Sequence, residues 1–270
     1  MSINYIMNNP KTYLINSFAI GLLFTAVSCV TSDQEDLAPI DSKTISSEEI
    51  SEMMGLMEEV DLMVMSTMQQ DLSQQRLIPL LDELSCPGTI ITRDDKIGQV
   101  KVDFGSGCIS DSGLERAGNL KITYSGGILS KGSLLTIDFE DFSLNGHKMN
   151  GQRKLENLGY DASTRTLSFS SSVSNFKMTN LNGHEFNLDQ SYIRELELST
   201  ANEGFRIYLK GNGSLTAQDY GKTTFEIVQP FKYMQQCIES GSYDPIEGSL
   251  QISTDTYKNK IVSFESLGCS

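Results

Sequence analysis

The strongest constraint on this chain is an alternation of apolar and polar residues that starts near residue 89. Val100, Val102 and Phe104 alternate with Lys101 and Asp103. The same period of two returns in the runs 120–124, 135–139, 167–169, 196–198, 205–209, 225–227, 250–252 and 262–264. Alternation buries one face of a strand and wets the other, which is typical of antiparallel sheet. We therefore predict a mainly β domain over residues 86–270, built as a large antiparallel meander or sandwich or as a partly open barrel.

One tetrapeptide occurs twice in this region. Residues 144–147 (LNGH) return as residues 181–184, and both histidines of the chain lie in these copies. Asn-Gly between alternating runs is a strong hairpin signal, because both central residues of a type I′ turn need positive φ. We expect two equivalent hairpin tips with His147 and His184 exposed in the turns.

A helical pattern precedes the strands. Ser46 and Glu49 form a capping box, the S-x-x-E signature of a helix start. Apolar residues then recur at three- and four-residue spacing: Ile50, Met53, Met54, Met57, Val60, Val64 and Met68. This spacing predicts an amphipathic helix over residues 46–76. The methionine stripe indicates core or partner packing rather than a copper site, because no His or Cys lies within it.

The first 28 residues have the pattern of a cleaved leader. Lys11 gives a thin positive region, and the mostly apolar run of residues 13–28 follows it. A membrane-spanning helix needs about 20 consecutive apolar residues, and this shorter run also contains Asn16 and Ser17. We therefore predict a signal peptide over residues 1–28.

The end of the leader, Ala26-Val27-Ser28-Cys29, resembles the lipobox of bacterial lipoproteins, which signal peptidase II cuts just before the cysteine. It departs from the usual pattern at Ala26, where Leu is commoner, and the alternative is an ordinary signal peptide that contains a cysteine. The resemblance implies that Cys29 becomes the first mature residue and carries the lipid, with acyl chains such as palmitate.

Residues 29–45 are polar, acidic and proline-bearing, which predicts a flexible tether between membrane and domain. Asp33, Glu35 and Asp36 resemble the surface-export signal of Bacteroidota lipoproteins. The resemblance implies an outer-membrane lipoprotein exposed at the cell surface.

Four cysteines remain after Cys29, namely Cys86, Cys108, Cys237 and Cys269. An even number in an exported protein predicts disulfides, and four cysteines allow three pairings. Each successive pair encloses a segment that ends in an alternating strand followed by Gly-Cys, which favours Cys86–Cys108 and Cys237–Cys269. A metal site is disfavoured, because these cysteines have no C-x-x-C spacing and no nearby histidine.

The stretch VDFGSGCISDSGLERAGNLKITYSGG, a G-x-L-T-x-x-x-Y-G hairpin and the terminal LGCS resemble a family of uncharacterised outer-membrane lipoproteins from Bacteroidota. The resemblance covers most of residues 86–270, and its motifs are glycines, turns and cysteines. It implies an architecture and no catalytic residue.

The charge balance and the scarcity of histidine narrow the function classes. A formal net charge of −14 repels phosphate backbones, so we expect no nucleic-acid partner. A Ser-His-Asp site needs a histidine beside a nucleophile, and only His147 and His184 exist. These two are weak candidates for a metal site, with Glu185 as a third ligand. We expect no cofactor.

The carboxylate-rich strand around Asp138, Glu140 and Asp141 is the densest acidic cluster. Asp138 and Glu140 share one face and should meet solvent. Asp141 falls on the apolar face unless a β-bulge shifts the register before Phe142. Paired carboxylates would suit glycoside hydrolysis, although a solvated strand face is the simpler interpretation.

These observations favour a membrane-anchored, non-enzymatic binding or structural module. Its partners would be the membrane, through the lipid, and a protein, glycan or lipid ligand. One alternative is a carrier of hydrophobic ligands, in which the methionine-rich helix is a lid over a half-open barrel with a cavity above about 300 Å³. Another is a glycan-processing enzyme that uses two carboxylates.

Overall fold

A computed structural model of the chain describes residues 45–69, 86–198, 204–217, 220–254, 258–265 and 269. The predicted signal peptide, the lipidation site Cys29, residues 29–44 of the predicted tether and residues 70–76 of the predicted helix lie outside these residues. Within them, no helix has the length and apolar character that a membrane crossing requires.

The described residues form two helices and twelve strands. The helices are α1 (Ser47–Gln69) and α2 (Gln235–Glu239). The strands are β1 (Ile90–Asp94), β2 (Gln99–Asp103), β3 (Cys108–Ile109), β4 (Glu115–Tyr124), β5 (Leu134–Leu144), β6 (His147–Asp161), β7 (Thr166–Thr179), β8 (Glu185–Leu198), β9 (Phe205–Ala217), β10 (Tyr220–Met234), β11 (Glu247–Ser253) and β12 (Lys260–Glu265).

All twelve strands belong to one antiparallel sheet in which strands that follow each other along the chain lie side by side. The short β3 is the exception, because it pairs with β4 beside β2. β1 and β12 are the two edges of the sheet, so it stays open. The predicted β-rich antiparallel meander is confirmed, and the sheet is not closed into a barrel.

β-Bulges bend the long strands. The register of β5 and β6 shifts between Phe139 and Phe142, where Asp141 has φ 51°. Opposite it, Gly118 has φ 82°, and a Cβ there would lie 2.1 Å from the carbonyl oxygen of Asp141. The bulge turns Asp141 outward and leaves Phe142 buried, as the sequence required. Such bulges allow a wide sheet to curve.

The helix α1 lies in the interior of this curved sheet. Every residue from Met53 to Gln69 is buried, including the methionines of the predicted stripe. The prediction of a one-sided amphipathic helix is therefore wrong in this respect: buried side chains point in all directions, and several of them are charged. A helix that is buried all round belongs to a core rather than to a surface.

The start of α1 is the predicted capping box. The backbone N–H of Glu49 donates to Ser46 Oγ at 3.1 Å, and the N–H of Ser46 donates to Glu49 Oε2 at 3.3 Å. The side chain of Glu49 also accepts a hydrogen bond from Asn180 Nδ2 at 3.0 Å. This end of the helix is thus tied to the loop between β7 and β8.

Two disulfides fasten the ends of the described sheet. Cys86–Cys108 joins the segment that leads into β1 to β3, and Cys237–Cys269 joins α2 to the segment after β12. These are the two pairs that the sequence favoured.

The two LNGH turns differ in structure. Asn145 and Gly146 both have positive φ, and His147 pairs directly with Leu144, which gives the expected two-residue hairpin. In the second copy only Gly183 has positive φ, and the N–H of Asn180 donates to the carbonyl of His184 at 3.0 Å in a longer loop. The expectation of equivalent tips is therefore wrong.

Candidate functional site

Three arginines on alternate strands face α1 from inside the sheet. Arg116 lies on β4, Arg153 on β6 and Arg194 on β8, and all three are fully buried. The central segment of α1 presents three buried carboxylates to them, those of Glu58, Glu59 and Asp61. Charges at this depth must be paired, because an isolated buried ion loses its hydration without compensation. We call these six residues the ion-pair cluster.

Asp61 stands at the centre of the ion-pair cluster. Its Oδ1 accepts from Arg153 Nε at 2.5 Å, and its Oδ2 accepts from Arg153 Nη2 at 2.6 Å and from Arg194 Nη2 at 2.7 Å. Arg194 also donates to Glu58 Oε2 from Nε at 3.0 Å and from Nη2 at 2.6 Å. A guanidinium has planar donors that suit such bidentate contacts.

Glu59 points to the other side of the helix. Its Oε1 accepts both from Nε of Arg116, at 3.0 Å, and from Nη2 of the same residue. Its Oε2 is buried and accepts no hydrogen bond in the part of the chain that the structure describes.

Burial and charge act against each other on the carboxyls of the cluster. Burial pushes the pKa of Asp61 up, but the guanidiniums of Arg153 and Arg194 outweigh it and hold this pKa below its ordinary value. Burial raises the pKa of Glu58, and Arg194 only partly offsets the rise. Burial likewise raises the pKa of Glu59 against the pull of Arg116.

Sequence reasoning missed the ion-pair cluster, although a signal for it exists. Arg194 has the same strand phase as Tyr192 and Leu196, which are buried, and an arginine in the apolar phase of an alternating strand must face the core. Arg116 and Arg153 occupy the apolar phase of their strands as well.

An open pocket of about 480 Å³ adjoins the cluster. It lies between the N-terminal half of α1, the start of β4, the turn between β5 and β6, the loop between α2 and β11, and β12. We call it the seam pocket, because at this end the two sides of the open sheet approach each other: a Cβ on Gly241 would lie 2.6 Å from the carbonyl oxygen of Ser112.

The walls of the seam pocket combine acidic and apolar side chains. The carboxylates of Glu48, Glu52 and Asp244 are exposed at its rim, whereas that of Glu59 is buried. The apolar and aromatic lining comes from Leu56, Leu114, Leu144, Tyr243, Val262 and Phe264. The pocket is thus suited to a ligand with both a polar and an apolar part.

A second depression, of about 610 Å³, crosses the outer face of strands β7 to β11. Most of its lining is hydroxyl or amide side chains, together with Asp189 and Glu226. Oδ1 of Asp189 accepts from the backbone N–H of Asn175 at 2.9 Å, at a residue with φ 51° in a bulge of β7. Asp189 therefore has a structural role in bending the sheet.

The two histidines are in different environments. His147 is buried, and its Nε2 lies 3.1 Å from Oε1 of Glu52, so the expectation that it is exposed is wrong. His184 is exposed, as expected, with Nδ1 3.2 Å from the hydroxyl of Tyr220. Among the described residues, no three His, Cys, Asp or Glu side chains are grouped to hold a metal ion.

The acidic residues of β5 form a solvated strand face, the simpler of the two interpretations of the sequence. Glu140 and Asp141 are exposed, and Asp138 is half-buried on the outer face, where it accepts from Gln152 Nε2 at 2.9 Å. These carboxylates lie along a solvated strand rather than across a cleft from one another.

Comparisons with known proteins give no relative from which a function could be transferred. The chain matches no protein-family model, no curated protein and no solved structure.

Proposed function

We propose that the chain is a lipid-anchored outer-membrane protein whose β domain binds a partner without catalysing a reaction. The location rests on the leader, which resembles a lipoprotein signal that ends at Cys29. The binding role rests on one observation. Because α1 fills the interior of the sheet, a ligand would bind in the seam pocket, a recess lined by both polar and apolar side chains.

The filled interior favours a binding module over a carrier. A carrier would hold its hydrophobic ligand where α1 lies, so α1 would have to leave the sheet. That movement would separate Asp61 from Arg153 and Glu59 from Arg116, both of which are buried pairs. Breaking one buried pair costs about 3–5 kcal/mol, which makes α1 a poor lid.

Catalysis by paired carboxylates has less support. The outer depression brings Asp189 and Glu226 into one polar surface, but Asp189 is engaged by the backbone of Asn175. Asp138 is engaged by Gln152. A general acid or base must be available to the substrate, and these two contacts argue against that role.

Metabolic labelling with radioactive palmitate tests the anchor. Cells that express the full chain should yield a labelled protein, and Cys29→Ser should abolish the label. Cys269→Ser is the matched control, because it removes a disulfide cysteine and should leave the label in place. A Cys29→Ser protein that stays labelled would refute the lipid anchor.

Extraction of the purified protein with organic solvent tests the carrier alternative. We expect lipid to remain covalently attached at Cys29 and no further lipid to be released in stoichiometric amount. Release of one non-covalent lipid per chain, detected by mass spectrometry, would favour the carrier instead.

A further inference from the structure

We propose that the seam pocket binds a small organic cation, namely a protonated amine or a guanidinium attached to an apolar body. This inference rests on the proposed function as a binding module and names the class of its ligand.

The charge of the pocket selects for a cation. Three acidic residues, Glu48, Glu52 and Asp244, are exposed at its rim, while the fourth, Glu59, is paired with Arg116. The described lining contains no Lys, Arg or His. The chain as a whole carries a formal net charge of −14, which adds a long-range field of the same sign. Anionic ligands are disfavoured on both counts.

A second, independent feature is the state of Glu59. Both of its contacts with Arg116 go to Oε1, and Oε2 has no donor among the described residues although the side chain is 1% exposed. A buried carboxylate oxygen without a donor is costly. Glu59 lines the pocket, and a small rotation of its side chain would let the N–H donors of an ammonium or a guanidinium reach Oε2.

The remaining walls select for an apolar body on the cation. Leu56 of α1 lines the pocket together with Leu114, Leu144, Val262 and Phe264. A bare metal ion would leave this surface unused, and the described residues have no grouping that would hold one. The aromatic rings of Tyr243 and Phe264 also provide faces that attract cations. A volume of about 480 Å³ falls in the range of about 300–1,000 Å³ that is usual for small-molecule sites.

A matched set of three probes tests this inference on the mature full-length protein. Hexylamine, hexanol and hexanoate share an apolar chain and differ in charge. Backbone N–H shifts of Gly55, Asn145 and Gly241, which line the pocket, report binding there by NMR. We expect hexylamine to shift these signals saturably, with a Kd at least about tenfold lower than that of hexanol, and hexanoate to leave them unchanged.

Variants at the rim test the role of charge while leaving the buried pairs of α1 with Arg116, Arg153 and Arg194 in place. Glu48→Gln together with Glu52→Gln removes two exposed carboxylates and should weaken hexylamine binding at least about fivefold. Glu140→Gln, on the outer face of β5, removes one exposed charge elsewhere and should leave binding unchanged. Glu59→Gln should weaken binding most, but it also breaks a buried pair, so the rim variants decide the question if this protein does not fold.

Equal binding of hexylamine and hexanol, or unchanged binding in the rim double variant, would overturn the inference. These outcomes leave the anchor untouched, since palmitate labelling is read separately. Conversely, an unlabelled wild-type chain that still binds hexylamine would refute the location and keep the ligand class.

Discussion

Arg153 on β6 and Asp61 on α1 meet through two parallel hydrogen bonds of 2.5 and 2.6 Å, with both side chains fully buried. Arg153 also donates to Ser171 Oγ at 2.9 Å, which fixes the plane of its guanidinium. A bidentate pair has one good geometry. The pair therefore fixes both the depth and the rotation of α1 inside the sheet, which methionine packing alone would leave adjustable.

Asp61→Asn should destabilise the protein by about 3–5 kcal/mol, because it leaves two buried guanidiniums without their shared negative partner. Urea unfolding followed by circular dichroism measures the loss. Asp138→Asn is the matched control on the outer face and should change stability by less than about 0.5 kcal/mol. Equal effects of the two substitutions would contradict the structural role of Asp61.

The contribution of Asp61 should depend on pH in acid. Its pKa in the folded state lies below the ordinary value of 3.8, so the folded state binds fewer protons than the unfolded state around that pH. The stabilisation is fully present above about pH 3.8 and is lost as the pH falls through the lower folded pKa. The difference in unfolding free energy between wild type and Asp61→Asn should therefore shrink below pH 3.8, and a constant difference would contradict the assignment.

Glu59 should behave in the opposite way. Its pKa lies above the ordinary value of 4.5 because of burial, so the folded state holds the proton more tightly than the unfolded state. Stability contributed by this group falls as the pH rises from about 4.5 through the folded pKa. The wild type should lose stability relative to Glu59→Gln over this window in urea titrations. A gain over the same window would show that Arg116 dominates instead.

Gly118→Ala should cost at least about 2 kcal/mol, because its φ of 82° is unfavourable for a side chain and the added Cβ would lie 2.1 Å from a backbone oxygen of the neighbouring strand. Gly127→Ala is the control: the nearest atom to its Cβ would be Ser130 Oγ at 3.5 Å, and we expect a neutral or slightly stabilising effect. Thermal unfolding of the two variants compares them directly.

Removing the C-terminal disulfide with Cys237→Ser and Cys269→Ser should cost about 3–4 kcal/mol, from the chain entropy of a loop with a sequence separation of 32. Chemical denaturation of the double variant measures this loss.

Peptide mapping without reduction should find Cys86 linked to Cys108 and Cys237 linked to Cys269. A peptide that joins Cys86 to Cys237 or Cys269 would contradict both the structure and the pattern of the sequence.

Features that depend on near neighbours were predictable, and those that depend on distant partners were not. The alternation of single strands, the capping box at Ser46 and the bulge at Asp141 are each decided within a few residues. The side to which His147 turns depends on Glu52, 95 residues earlier. Arg153 faces the core because Asp61, 92 residues earlier, compensates it. From a local pattern we predict that a charged residue is exposed to solvent. Only a partner that is distant in the sequence compensates the desolvation cost of burying it.

The position of α1 in the sequence separates its synthesis from its packing in the fold. α1 leaves the ribosome before any strand of the sheet, yet Arg194 follows Glu58 by 136 residues and Asp61 by 133. Until β8 has been made, Glu58 has not met the guanidinium that balances it in the finished fold. The first described element to be synthesised is thus among the last to reach its final packing. For most of synthesis, chaperones would bind it as an unfolded, methionine-rich segment.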